Sequence, residues 1–123
     1  MKHIVDKYTR APFEYGLTDC CRFAGECTEA MTGKNIAARF GYSNEQEAND
    51  LIASYGSLEK LMDDELGDEV SGEYEPKDGD VALCKTTAGF ELVGVVYRGV
   101  LIVLTKTGVM DWPLSRAYKV WAT

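Results

Sequence analysis

The apolar pattern changes period once, at Asp78-Gly79, and that change sets the fold class. Upstream, apolar residues recur every three or four positions, the spacing of a helix face. Downstream they come in short runs: Val81 to Cys84, Phe90 to Tyr97, Val100 to Thr105, Val109 to Trp112 and Ala117 to Trp121. Ala88-Gly89, Arg98-Gly99 and Lys106-Thr107-Gly108 read as tight turns between the first four. Short strands joined this way predict an antiparallel meander. Helices first and strands second make an α+β layout, with N-terminal helices packed on a C-terminal antiparallel β-sheet. With 123 residues and no repeat or linker, residues 1–123 read as one domain.

Four helices are expected before the break. Lys2 to Thr9 offers Ile4, Val5 and Tyr8 to a core, and Ala11-Pro12 ends it. Phe13-Glu14-Tyr15-Gly16 reads as a packed connector. Thr18 or Asp19 can cap the next helix, whose apolar face is Cys20, Phe23, Ala24, Cys27 and Met31, with Gly33 past its end. Lys34 to Tyr42 is irregular or weakly helical. Ser43 and Gln46 form a capping-box pattern before Ala48, Leu51, Ile52 and Tyr55. Ser57 caps a shorter helix carrying Leu58, Leu61, Met62 and Leu66, and the two helices form a hairpin. Gly67 to Lys77, with Gly72 and Pro76, reads as an acidic surface crossing.

Charge narrows the function classes. Twenty acidic against thirteen basic side chains leave a net charge of −7. That argues against nucleic-acid binding, which depends on basic surface, and against an anionic membrane partner. No stretch reads as a signal peptide or a membrane span, so a cytoplasmic protein with four reduced cysteines is expected. Cys20 and Cys27 share a helix face but stand roughly 10 Å apart along the axis, too far for a disulfide. There is no CxxC pair, and His3 is the only histidine, so no metal or other cofactor is expected within one chain. A cluster shared with a partner chain stays open.

Thr18-Asp19-Cys20-Cys21 places a thiol in the first turn of a helix. The partial positive charge there favours the thiolate, while Asp19 opposes it. Cys21 points about 100° away around the same helix. Two readings stand side by side: Cys20 as a nucleophile, and Cys20 as a small apolar residue opening a buried face. A nucleophile needs a neighbouring base, itself oriented by a third group. His3 lies in another element, 17 residues earlier. Asp80, opening a strand after Gly79, suits turn or cap hydrogen bonds. Lys85 and Tyr97 are possible unconventional partners.

Several landmarks fall in a familiar order: Phe13-Glu14-Tyr15-Gly16, Asp19-Cys20 with Phe23, Thr32-Gly33, Tyr42, Gly79-Asp80-Val81, Leu92-Val93-Gly94-Val95-Val96, Gly108 and Trp121. The set resembles the NlpC-type branch of the papain-like superfamily, cell-wall peptide hydrolases of bacteria and phages. It is most similar to a small group of NlpC-like proteins encoded among phage tail genes. The resemblance spans nearly the whole chain and implies a papain-like fold with Cys20 at the nucleophile position. The enzymes carry their base in His-Val-Gly-Ile, and Leu92 stands where that histidine would be. Their third polar residue comes from the next strand, here the apolar Val100 to Leu104.

The resemblance therefore implies a non-catalytic structural or assembly protein of a phage tail, a pseudoenzyme of the tail tip or hub. Its partners would be other tail or baseplate proteins, and its location the host cytoplasm during assembly or the tail itself. The alternative is a cysteine peptidase or amidase acting on cell-wall peptides, with Cys20 as nucleophile and an unconventional base. A third reading drops the resemblance: a small α+β interaction module whose acidic helix hairpin meets a basic partner. Trp112, Tyr118 and Trp121 are candidate interface aromatics, with core packing as the competing role. The sequence assigns no oligomeric state.

Overall fold

The protein is an α+β domain, seen here in a computed structural model that describes residues 1–70, 73–85, 89 and 91–123. Four helices come first: α1 (Lys2–Arg10), α2 (Cys20–Thr32), α3 (Glu45–Tyr55) and α4 (Leu58–Leu66). Five strands follow: β1 (Val81–Lys85), β2 (Glu91–Tyr97), β3 (Val100–Thr105), β4 (Gly108–Pro113) and β5 (Ala117–Trp121). The expected turn residue Ala88, the strand residue Phe90 and the loop residue Gly72 lie outside the described residues.

All neighbouring strands are antiparallel, in the order β4-β3-β2-β1-β5. The expected meander holds for β1 to β4 and fails for β5, which pairs with β1 instead of extending from β4. Geometry explains why this requires a curled sheet. Only the short 3-10 turn Leu114–Arg116 separates β4 from β5. Four residue steps span at most ~14 Å. In a flat sheet the two strands would lie four spacings apart, ~19 Å.

The curl gives the sheet two packed faces. On the outer face Val81, Leu83, Val93, Val95 and Ile102 join Ile4, Tyr8, Phe23, Cys27 and Met62 of the helices in the main core. Inside the curl, Ala82, Cys84, Val96, Leu101 and Val103 form a second cluster, closed by Leu92, Trp112 and Leu114. Gly94 is needed there. A Cβ at this position would stand 2.9 Å from Val103 Cγ1, closer than carbon atoms pack.

Among the three aromatics offered as interface candidates, the structure distinguishes three situations. Trp121 is fully buried, and its indole N–H donates to Asp63 Oδ1 at 3.0 Å. Trp112 is half-buried, with the Arg116 guanidinium 4.3 Å from its ring. Tyr118 is 41% exposed and donates to Glu91.

The helix boundaries follow their caps. Asp19 caps α2, accepting from Arg22 N–H, and Gly33 ends it at φ +85°. Ser57 caps α4 as expected. The capping box of α3 is corrected by one residue. Asn44 is the cap, accepting from Glu47 N–H, and the Glu47 carboxylate accepts from Ser43 N–H and Oγ. Glu47, not Gln46, therefore stands at the third helical position, where a side chain can reach back. The irregular segment before it carries core residues: Ile36, Ala37 and Phe40 are buried. Arg22 holds it down, donating to the carbonyls of Ala37 and Phe40.

Candidate functional site

The site is assembled at the start of α2. The chain turns at Gly16, where φ is +87° and a Cβ would lie 2.6 Å from Tyr42 O. Only glycine fits both the backbone and the space. Asp19 is buried and accepts three hydrogen bonds: Gly16 N–H at 2.7 Å, Arg22 N–H at 2.9 Å and Tyr42 OH at 2.8 Å. The Arg22 guanidinium also lies 4.6 Å from the Tyr42 ring centroid and donates to Gly16 O. This knot of Gly16, Asp19, Arg22 and Tyr42 fixes the first turn of the helix, and hence the position of Cys20.

The sheet opens where Cys20 arrives. Pairing between β2 and β3 runs from Tyr97↔Val100 to Gly94↔Val103 and stops there. Val93 would next exchange hydrogen bonds with Leu104. Instead the Val93 N–H is left outside the ladder, and it favours the thiolate form of Cys20. A strand donor released from the ladder needs another acceptor when buried.

Beyond the split lies a groove of about 530 Å³. The start of α2 gives it Cys20 and Cys21, and the connectors give it Phe13, Tyr15, Phe40 and Tyr42. Leu51, Ile52, Leu58 and Leu61 of the α3–α4 hairpin form the opposite wall. Glu91, Leu92, Leu104, Thr105 and Lys106 line the parted ends of β2 and β3. Size and apolar lining are those of a small-ligand cleft.

The two thiols are unequal. Cys20 is held below the ordinary thiol range, first because the Cys21 S–H donates to it; the N–H groups of Val93 and Cys21 add to this. Burial and the Asp19 charge act in the opposite direction without prevailing. Cys21 is pushed well above the ordinary range by donating to Cys20 and by burial. Tyr42 is likewise raised, by burial, by Cys21 and by its bond to Asp19. Cys27 and Cys84, buried in the two clusters, rise to about 12 and about 11, mainly through desolvation. All four thiols are free.

Of the residues singled out in the sequence, the structure brings Cys20 and Leu92 to one groove. It does not bring the others there. His3 is exposed on α1 and lines no part of it. Asp80, at the start of β1, sits at the far end of the strand from Cys84, the partner of Leu92. It accepts from Tyr74 OH, Lys77 N–H and Thr123 N–H, the turn role expected of it. Lys85 is exposed with its ammonium 5.0 Å from the Tyr118 ring, and Tyr97 ends the opposite end of β2 from Leu92. Among the described residues, no three His, Cys, Asp or Glu side chains converge as metal ligands, and no helix is long and apolar enough to cross a membrane.

Two contributors were not read from the sequence. The Val93 N–H is a backbone group, released by pairing that sequence does not display. Helix geometry points Cys21 about 100° away from Cys20. Adjacent side chains do diverge around a helix, but the groove wraps the helix end, and both thiols reach it.

Fold and site together define an α+β domain with a helix-start cysteine pair in an apolar groove, seated where two strands part. The family model described as a domain of unknown function, DUF6950, matches residues 1–123, and the chain belongs to that family. No curated protein matches it.

Proposed function

We propose that this protein is a non-catalytic NlpC-like structural or assembly component of a phage tail, in the tip or hub region. The observation that carries the non-catalytic part is the make-up of the groove. A thiol occupies the nucleophile position, Leu92 the place of the base, and no imidazole lines the walls. Amide cleavage needs a proton delivered to the leaving amine as well as a thiolate. The tail assignment is carried by the ordered landmarks from Phe13 to Trp121. On this reading the protein meets other tail or baseplate proteins in the host cytoplasm during assembly.

The test is hydrolysis of purified muropeptides, followed by mass spectrometry, beside co-purification with tail and baseplate proteins expressed together. No cleavage and a stable complex are expected. Cleavage by the wild type that Cys20→Ala abolishes would overturn the reading.

One observation favours the second reading, a cysteine peptidase or amidase on wall peptides. The Cys20 thiol is lowered, as a nucleophile's must be. Its donors are a thiol and two amides, none of which is a base. The muropeptide assay separates the two readings directly.

A further inference from the structure

From the groove's chemistry we infer that Cys20 is an acceptor for a medium- or long-chain acyl group, taken from an acyl thioester and held in the apolar groove. This deepens the non-catalytic reading of the same site and rests on its premise, that no imidazole serves Cys20. Three common electrophiles of a thiolate fit the groove unequally. An amide leaves as an amine and requires a general acid held over the leaving nitrogen, the role of the imidazole that Leu92 replaces. A small polar disulfide would leave the hydrocarbon walls unfilled. An acyl thioester satisfies both constraints, because its leaving group departs as a thiolate and its chain is apolar.

The step balances without a further reactant. The Cys20 thiolate attacks the thioester carbonyl, a new S–C bond forms, the old S–C bond breaks, and the carrier leaves with the electron pair as its own thiolate. The geometry suits this exchange. Cys20 shares the groove wall with Leu92 and Leu104, where the β2–β3 pairing ends. Leu51, Ile52, Leu58, Leu61 and Leu104 line the space a chain would fill, and about 530 Å³ lies within the range of ligand clefts. Asp19 and Glu91 are hydrogen-bonded within the protein, and Glu45 and Lys106 face water. Cys21 also lines the groove, and peptide mapping distinguishes the two sulfurs.

The test uses the full chain, with decanoyl-coenzyme A and acetyl-coenzyme A as probes at neutral pH, read by intact mass and peptide mapping. The expected result is one hydroxylamine-labile acyl group on Cys20. Decanoyl should transfer at least ~10-fold faster than acetyl, because each buried methylene adds to the chain's binding. Cys20→Ser should accept none. Leu51→Trp fills the groove from a half-buried position, and should slow decanoyl transfer while leaving alkylation of Cys20 by iodoacetamide unchanged. The inference is overturned by no adduct, by acyl groups shared among the four cysteines as in the denatured chain, or by equal rates for the two chains. Muropeptide cleavage measured on the same sample reports separately on the non-catalytic reading.

Discussion

Replacing Asp19 tests the knot that positions Cys20, and its two effects have opposite signs. Asp19→Ala removes the N-cap of α2, about 1 kcal/mol. It also strands the Gly16 N–H and the Tyr42 OH, each now bonded to the carboxylate. An unmade buried hydrogen bond costs roughly 1–3 kcal/mol, and both groups are half-buried, so about 1 kcal/mol apiece is the fitting figure. The total is about 3 kcal/mol, or ~10 °C in Tm for a domain of this size. Urea denaturation followed by the fluorescence of buried Trp121 measures it. Meanwhile the carboxylate opposes ionisation of Cys20, so removing it lowers that thiol further. Alkylation of Cys20 should then persist to lower pH in a less stable protein. Asp19→Asn is the cleaner companion. Its carbonyl oxygen keeps the bond from Arg22 N–H, while its NH₂ faces the Gly16 donor. It should lose less stability and show the same direction of thiol shift. A loss under about 1 kcal/mol in Asp19→Ala, or a Cys20 thiol that titrates higher in Asp19→Asn, would refute the account of this knot.

Three further outcomes follow from the same geometry. In the wild type, alkylation followed by mass spectrometry should label Cys20 first, below the ordinary thiol range; Cys27 and Cys84, near 12 and 11, should react only on unfolding. Gly94→Ala should destabilise by about 1–3 kcal/mol, because its methyl overlaps Val103 inside the curl, and thermal unfolding will show it. Asp80 contributes at the acid limb. Burial alone would raise its carboxyl, but bonds from Lys77, Tyr74 and Thr123 hold it below 3.8. A group depressed in the folded state stabilises above its unfolded pKa and loses that contribution as pH falls through the folded one. Asp80→Asn should therefore be less stable at neutral pH and flatter below about pH 4, and an unchanged acid limb in denaturant titrations would contradict this.

What was legible in the sequence is what periodicity and local chemistry encode. The helices and strands were placed because each buries one face, and a face repeats. The cap at Asp19 and the end at Gly33 were legible because capping is a local hydrogen-bond problem. The α3 cap slipped by one residue because Ser43-Asn44 offers two adjacent capping side chains, and only the backbone decides which is used. The position of β5 was not legible, because its pairing depends on a curl set by the whole sheet. A strand three residues beyond β4 reads as β4's neighbour unless the sheet closes behind it.

The site shows the same division. Cys20 could be picked out because a helix start is a local feature with a known effect on a thiol. Its actual environment is made by elements distant in sequence. The β2–β3 ladder ends at Gly94↔Val103, and the connector from Phe13 brings Cys20 to the groove beside the parted ends. An imidazole is the usual means of lowering such a thiol. Here the groups that favour the thiolate are the Cys21 thiol and two backbone amides. A backbone amide favours a thiolate without offering a proton to a leaving group. That distinction separates a sulfur suited to amide cleavage from one suited to thiolate-for-thiolate exchange, and it rests on which atoms face Cys20 across a gap between two strands.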